Sequence, residues 1–222
     1  MQQTPQEKID GELHKFDKTK LRFGKYSGEK QWKKLQIFYE HEDTEHEIEF
    51  MTPVLRNKWA LNNKFSQGKN KEKWQMQLAV DEEDNGIIDQ LTEFQNAVID
   101  KLAKHPELKG KTTMKNFDPM VVEEDKYDDY IKIKFKVKLD HSTRVAAGMP
   151  PKYILDNCEF YDRNQKLCDF NDCVERSRVR VSFKVESLTY DEFKNVWRLN
   201  TELVQTQIMG GKRTRGFRFV NA

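Results

Sequence analysis

Four lysines alternate with apolar residues along one stretch of the chain, between residues 130 and 139: Lys132, Lys134, Lys136 and Lys138. Every second side chain of a β-strand points to the same face, so the four ammonium groups would form a row spaced by about 6.6 Å. Such a row suits a polyanion whose phosphates follow one another along an extended backbone. Alternating lysine also solubilises an exposed sheet face and protects a sheet edge, and that alternative stays open.

A second stretch, residues 176–185, repeats this arrangement with arginine. Its valines and Phe183 alternate with Arg176, Arg178, Arg180 and Lys184. If the two stretches were neighbours in one sheet, their cations would merge into a patch that contacts phosphates and stacks on bases. Arg178 and Arg180 therefore join Lys132, Lys134 and Lys136 as candidate nucleic-acid contacts.

Aromatic rings are the second requirement, because sequence-tolerant binding of single strands combines a positive groove with rings on which bases stack. Most aromatic side chains belong to a core, and Trp74 shares the phase of Met76 and Leu78. Tyr190 is expected to be exposed, because residues 188–192 are predicted to form a turn between basic strands. The candidate rings are Trp59, Phe65, Trp74, Tyr130, Tyr161, Tyr190 and Trp197.

Two further segments carry positive charge. Around Trp59 and Phe65 the sequence has Lys58, Lys64, Lys69, Lys71 and Lys73. Residues 210–219 are basic and glycine-spaced, which resembles arginine- and glycine-rich nucleic-acid segments. A solubilising, disordered end explains the same composition.

Motifs for catalysis or metal binding are missing from the sequence. It contains no P-loop, GxGxxG, GxSxG or HExxH pattern. His41 and His46 flank acidic residues without the spacing of a metal site, and the three cysteines, Cys158, Cys168 and Cys173, fit no CxxC spacing. The sequence therefore predicts a protein that is not an enzyme, with free thiols, no metal and no cofactor.

Composition predicts one domain. The 222 residues are 34% charged, 36% hydrophobic and 11% aromatic, which provides one sizeable core. No stretch approaches the roughly 20 apolar residues of a membrane span, and the N-terminus lacks the apolar core of a signal peptide, so an intracellular protein is expected. With a net charge of +2, any nucleic-acid site depends on where the charges lie.

Hydrophobic periodicity predicts the elements that position these residues. Alternation predicts strands at 74–80, 130–139, 176–185 and about 196–209, and apolar steps of three and four predict a helix at 87–104 that ends before Pro106. Residues 35–39 and 48–51 are predicted to form a strand pair around an acidic loop. The apolar phase slips between Leu203 and Val204, which indicates a bulge of the kind found where a sheet curls into a barrel.

The strands outnumber the helices too strongly for alternating βαβ units. The sequence predicts a mainly β (α+β) fold, an OB-type β-barrel with one principal helix and N-terminal elaborations; a sandwich is the neighbouring alternative. The predicted organisation is an irregular arm at 1–30, a nucleic-acid-binding domain at 31–209 and a basic tail at 210–222.

From Trp74 onward the order of these patterns resembles the replicative single-stranded DNA-binding proteins of short-tailed coliphages, a type also suspected in large nucleocytoplasmic DNA viruses. The resemblance covers about two-thirds of the chain, residues near 70 to 209. It is carried by residues 71–78 with Lys71, Lys73 and Trp74, the helix at 87–104, Ile131-Lys132-Ile133-Lys134, Arg178-Val179-Arg180-Val181, Leu188-Thr189-Tyr190 and residues 197–204.

This resemblance implies an OB fold that holds single-stranded DNA in replication and recombination. By position Lys71, Lys132, Lys134 and Tyr190 would be contact residues, and Lys136 stands where that family has an aromatic ring. The family ends in an acidic tail that recruits replication enzymes, whereas this chain ends in a basic one. Partner recruitment through the tail and tail-swapped dimerisation are therefore in doubt, although replication proteins and a homodimer remain candidate partners.

The function expected from the sequence is sequence-tolerant coating of single-stranded DNA from a viral genome. The expected location is the host-cell site of viral DNA replication, in cytoplasm or nucleus, or the virion. Lys132, Lys134, Lys136, Arg178 and Arg180 would contact phosphates while bases stack on Tyr190 and on Trp59 or Trp197. These features suit RNA as well as DNA, and the sequence does not separate the two ligands. The alternative function is a structural or scaffolding virion protein whose charged faces contact other proteins.

Overall fold

The computed structural model describes residues 16–27, 32–61, 73–80, 85–105, 114–125, 128–140 and 152–210. Lys64, Phe65, Lys69 and Lys71 and the basic tail after Gly210 lie outside these described residues.

Thirteen strands and one α-helix make up the described fold. The helix is α1 (Asn85–Ala103), and single 3₁₀ turns lie at Lys18–Lys20, Met114–Asn116 and Phe170–Asp172. The strands are β1 (Leu21–Ser27), β2 (Trp32–His41), β3 (Thr44–His46), β4 (Ile48–Met51), β5 (Leu55–Asn57), β6 (Lys73–Ala79), β7 (Phe117–Asp118), β8 (Val121–Val122), β9 (Tyr130–Asp140), β10 (Lys152–Asp156), β11 (Glu159–Tyr161), β12 (Arg178–Asp191) and β13 (Val196–Gly210).

Five of these strands pair around a ring. β5 pairs with β6, β6 with β9, β9 with β13, β13 with β12, and β12 returns to β5. All of these pairings are antiparallel except that of β9 with β13, which is joined through Glu202 opposite Lys134. This is the strand order of an OB barrel, left partly open at that parallel seam. The predicted mainly β, OB-type fold with one principal helix is confirmed.

The remaining long strands extend the sheet beyond the ring. β2 pairs with one end of β12, opposite residues 187–191, and β1 pairs with β2. β4 pairs with the middle of β12. β12 therefore connects the barrel to strands from the N-terminal part of the chain.

Helix α1 packs its apolar face into the core, as its periodicity predicts. Leu91, Phe94, Val98 and Leu102 are fully buried, and the Phe94 ring contacts Phe50 edge-on with centroids 5.1 Å apart. Residues three and four apart share one face of a helix, so this stripe covers the core-facing side of the sheet.

Three bulges interrupt the pairing of β12 with β13, one of them at Met209 near the end of β13. Ser182 lies opposite Gln205 and Phe183 opposite Leu203, which leaves Val204 without a pair and confirms the slip predicted there. On β12, Val185 lies opposite Thr201 and Ser187 opposite Asn200, so Glu186 is the extra residue. A bulge reverses which alternate residues face the core beyond it.

Two predictions about the N-terminal part are wrong. Residues 21–27, expected in an irregular arm, form β1, and Leu21 is completely buried. The strands at 35–39 and 48–51 were expected to pair with each other, but β4 pairs with β12 instead. β2 turns into β3 through Glu42 and Asp43, whose φ values of 50° and 57° are those of a two-residue hairpin turn.

Candidate nucleic-acid interface

Strand β9 presents its lysines on one face. Ile131, Ile133, Phe135 and Val137 are buried, while Lys132, Lys134 and Lys136 are exposed, as the alternation predicts. The side chain of Lys138 is not among those that the structure describes. The exposed side of β9 is therefore a row of three cations on a strand whose other side is core.

Strand β6 lies next to this row and adds polar side chains to the same face. In the antiparallel register Lys73 is opposite Lys136, Gln75 opposite Lys134 and Gln77 opposite Lys132. Directly opposed residues of an antiparallel pair point to the same side of the sheet. β6 and β9 thus form one outer face that is basic at both ends and carries amides between its lysines.

Two adjoining depressions run over this face, with volumes of about 430 Å³ and 480 Å³, and both are lined by Gln75, Lys134 and Thr201. We call them together the basic groove. Residues of β6 and β9 line the groove together with residues of β2, β7, β8, β12 and β13. The cations that line the basic groove are Lys34, Lys73, Lys132, Lys134, Lys136 and Arg198.

Uncharged polar side chains lie between these cations. The Asn200 side-chain amide donates to Ser187 Oγ at 3.1 Å and to Thr189 Oγ1 at 2.5 Å. Thr201 Oγ1 donates to the Lys132 carbonyl at 3.3 Å, across the parallel seam. The groove therefore joins β9 to the β12–β13 hairpin through polar contacts.

Some of the cations in the basic groove form salt bridges with carboxylates. Lys34 pairs with Glu186 at 2.9 Å and Arg198 with Asp118 at 2.9 Å. Lys136 lies 3.6 Å from Glu202, which also approaches Lys184 at 3.9 Å. No carboxylate of the described residues pairs with Lys132 or Lys134. The centre of the groove is consequently its most positive part.

The electrostatics of Lys134 reflect this position. Desolvation by the surrounding groove lowers the pKa of Lys134, and the positive charges of Lys132, Arg198 and Lys73 lower it further. Like charges disfavour the protonated form of an amine, whereas a phosphate would favour it. An anion that enters the groove would therefore relieve the repulsion that the fold imposes there.

This lowered pKa predicts how binding of an anion depends on pH. The charged form of Lys134 is lost at a lower pH than that of an ordinary lysine, so affinity for oligo-dT should start to fall before an ordinary lysine would lose its proton. Lys134→Arg keeps its charge over this range and should flatten the decline. Anisotropy titrations at several pH values and constant ionic strength measure the decline in affinity of both proteins. An equal decline in both proteins would contradict the assignment.

The carboxylates predict an effect of opposite sign. Lys34 donates a hydrogen bond to Glu186 and thereby lowers the pKa of that carboxyl. Glu186→Gln releases Lys34 for a phosphate, so oligo-dT should bind a few-fold more tightly and with a salt slope steeper by about 0.7. Glu175→Gln removes an equivalent charge from a residue outside the groove and is the matched control. Weaker binding by the Glu186 variant would contradict this role.

The structure corrects the predicted stacking residues. Tyr190 is 8% exposed and Trp197 is 0% exposed, and their rings stack on each other with centroids 4.8 Å apart. The Tyr190 hydroxyl donates to Asn195 Oδ1 at 2.7 Å. Burial of both rings in the core removes their faces from solvent, so the predicted exposure of Tyr190 and the predicted stacking surface at Trp197 are wrong.

The other candidate rings differ in how far they are buried. Tyr130 and Tyr161 are buried, and Trp74 is half-buried with its ring edge-on to Phe170 at 5.4 Å. Trp59 is 44% exposed, at the start of the loop between β5 and β6. Of the rings proposed from sequence that the structure describes, Trp59 is the most exposed.

The arginine stretch is also placed differently from the prediction. β13 lies between β9 and β12, so the lysine and arginine strands are not neighbours. Arg180 is opposite Gln207 and Arg178 opposite Gly210, whereas Lys134 is level with Glu202. Five and eight residues of β13 correspond to about 16 and 26 Å. Arg178 and Arg180 therefore lie away from the basic groove.

Lys34 and Arg198 line the groove, where Arg178 and Arg180 were expected. Lys34 is opposite Thr189 in the β2–β12 pairing, and Arg198 is opposite Thr189 in the β12–β13 pairing. No local pattern distinguishes these two cations in the sequence. They reach the groove only because β2 and β13 both pair with β12.

Comparisons with known proteins give distant structural likenesses. No family model and no curated protein matches this chain. The crystal structure of gp2.5, a single-stranded DNA-binding protein of bacteriophage T7, is 9% identical, with a TM-score of 0.49; the match covers 78% of this chain and 98% of that one. The single-stranded DNA-binding protein of bacteriophage Enc34 is 9% identical, with a TM-score of 0.49, over 90% of this chain and 96% of that one.

A structure of the Enc34 protein in complex with single-stranded DNA is 8% identical, with a TM-score of 0.49, over 82% of this chain and 93% of that one. At these identities and scores the likenesses carry no conclusion about what this chain binds. The fold assignment rests on the chain's own strand pairings.

Within the described ranges, no group of three or more His, Cys, Asp and Glu side chains is placed to hold a metal ion. Over the same part of the chain, no helix has the length and apolar character that crossing a membrane requires.

Proposed function

We propose that this chain is a single-stranded DNA-binding protein that coats exposed strands, with little sequence preference, during replication or recombination of a viral genome. One observation carries the proposal. Lys132, Lys134 and Lys136 form an exposed row on β9 and line a groove whose other cations come from β2, β6 and β13.

The row matches an extended polynucleotide backbone. Alternate residues of a strand are about 6.6 Å apart, so successive lysines can each meet a phosphate of a single strand lying along β9. The outer face of the second and third barrel strands, here β6 and β9, is the surface on which OB folds bind oligonucleotides. The groove therefore lies where this fold is suited to bind such a ligand.

Binding would exchange ions at the groove. Phosphates displace counterions from Lys132 and Lys134, and they compete with Glu186, Glu202 and Asp118 for the remaining cations. A single strand releases about 0.7 ion per phosphate contact, so six contacts give a slope of log affinity against log salt no steeper than about −4. Because phosphate contacts carry no base information, the expected sequence preference is weak.

A titration of labelled oligo-dT followed by fluorescence anisotropy tests the proposal. Dissociation constants in the nanomolar to micromolar range are expected at low salt, with a steep loss of affinity as salt rises. Duplex DNA of the same length should bind more weakly, and oligo-rU decides whether RNA is also a ligand. Absence of oligo-dT binding at low salt would overturn the proposal.

Further partners belong to the same proposal. By the resemblance of its sequence pattern, replication proteins and a second copy of this chain are the candidates. Pull-down of replication enzymes and sedimentation with and without oligo-dT would test them.

A further inference from the structure

Phe193 is the most exposed large hydrophobic side chain of the described residues. It is 81% exposed, compared with 70% for Leu167 and 44% for Trp59 and Ile154. It lies in the turn between β12 and β13, the loop that flanks the oligonucleotide-binding face of an OB fold. A single exposed apolar residue needs no explanation by itself, so its surroundings decide what it means.

The turn that presents Phe193 is held firmly. The Asp191 side chain is buried, and its Oδ1 accepts hydrogen bonds from the backbone N–H groups of Phe193 at 3.2 Å and Lys194 at 3.3 Å. Asn195 Oδ1 accepts from the Tyr190 hydroxyl at 2.7 Å and from the Asn116 amide at 3.2 Å. A ring on an ordered turn loses little conformational entropy when it binds a ligand.

The register places this turn just beyond one end of the basic groove. Thr189 and Arg198 are opposite each other, and each lines part of the groove. Phe193 is four residues past Thr189, so their Cα atoms are at most about 13 Å apart. A strand that leaves the groove past Arg198 therefore passes within reach of this turn.

The turn itself carries no net charge that would attract a phosphate. Exposed Glu192 and Lys194 flank Phe193 and balance each other. An aromatic face beside a positive groove is the combination that binds bases without sequence selection. Stacking, and not phosphate binding, is what this residue adds.

We infer that Phe193 is a base-stacking residue and takes a nucleobase of the single strand where that strand leaves the basic groove at the Arg198 end. This inference rests on the proposed function and names a contact residue for it. Because Tyr190 and Trp197 are buried, Phe193 is the exposed ring at this end of the β12–β13 hairpin.

Phe193→Ala tests this inference, with Leu167→Ala as the matched control for loss of an exposed apolar side chain elsewhere. Titration with oligo-dT of increasing length should show equal affinity of wild type and Phe193→Ala for the shortest oligonucleotides, which fill only the groove. A loss of about 5- to 10-fold should appear for longer ones. The salt slope should be unchanged, because no phosphate contact is removed, and Phe193→Tyr should bind like wild type.

The outcomes separate this inference from the proposed function. Failure of wild type to bind any oligonucleotide defeats the proposed function itself. Binding of long oligonucleotides by Phe193→Ala with wild-type affinity overturns only the Phe193 inference. A lower salt slope, a loss that is independent of oligonucleotide length, or a change in self-association by sedimentation with unchanged DNA affinity also overturns it. The thermal midpoint of each variant confirms that it is folded.

Discussion

Replacing Lys132 and Lys134 together by alanine should weaken oligo-dT binding by roughly 10- to 100-fold at low salt, because each substitution removes a phosphate contact and the counterion release that accompanies it. The salt slope should become shallower by about 1.4, since two phosphate contacts disappear. Both side chains are exposed, and no described carboxylate pairs with either, so the fold should be unaffected. Anisotropy titrations over a range of salt concentrations measure both quantities.

The matched control removes the same charge from the arginine strand. Arg178 and Arg180 lie about 16 to 26 Å along the sheet from the level of Lys134, so Arg178→Ala with Arg180→Ala should leave affinity and slope near the wild-type values. If the arginine pair mattered as much as the lysine pair, binding would follow overall charge. The basic groove would then lose its role.

Trp197→Ala should lower the free energy of unfolding by about 3–5 kcal/mol. The side chain is fully buried and stacks on Tyr190, and its removal leaves a cavity where β13 meets β12. Equilibrium unfolding in urea measures the change. Because the ring supports the turn that carries Phe193, some loss of DNA binding should accompany the loss of stability.

Arg198→Ala, one residue further along β13, is the control for Trp197→Ala. Arg198 is on the opposite face of the strand, and its pair with Asp118 is partly exposed, so the free energy of unfolding should change by no more than about 1 kcal/mol. DNA binding should nevertheless weaken, since Arg198 lines the groove. A Trp197→Ala protein of wild-type stability with abolished binding would show that the ring is a contact and not core.

Local periodicity was sufficient to predict what depends on local structure. The alternation of Ile131, Lys132, Ile133 and Lys134 predicted both β9 and the face that carries its cations. The three- and four-residue steps predicted α1, and the slip between Leu203 and Val204 predicted the bulge at Val204. Each of these features follows from which side of one element faces the core.

Tyr190 shows why a local pattern can fail. From Val179 to Val185 the odd-numbered residues of β12 face the core, and continuing that phase would turn Tyr190 outward. The bulge at Glu186 reverses the phase, so that Leu188 and Tyr190 face inward. The apolar residues change from odd numbers up to Val185 to even numbers at Leu188 and Tyr190, but the interpretation of residues 188–192 as a turn concealed that slip.

The membership of the basic groove could not be predicted for a different reason. Which strands are neighbours depends on pairings between residues far apart in the chain, such as Lys34 with Thr189 and Lys134 with Glu202. Similar alternation on β9 and β12 suggested that they were adjacent, whereas the ring order places β13 between them. Composition shows that cations are available, and topology decides which of them meet.

Lysine acetylation footprinting with and without oligo-dT, read by mass spectrometry, tests most directly whether the basic groove holds the polynucleotide. Lys34, Lys73, Lys132, Lys134 and Lys136 should be protected by the oligonucleotide, while Lys104 and Lys166, which are exposed elsewhere, should react as in the free protein. Equal protection of all these lysines, or protection that spares Lys132 and Lys134, would contradict the assignment.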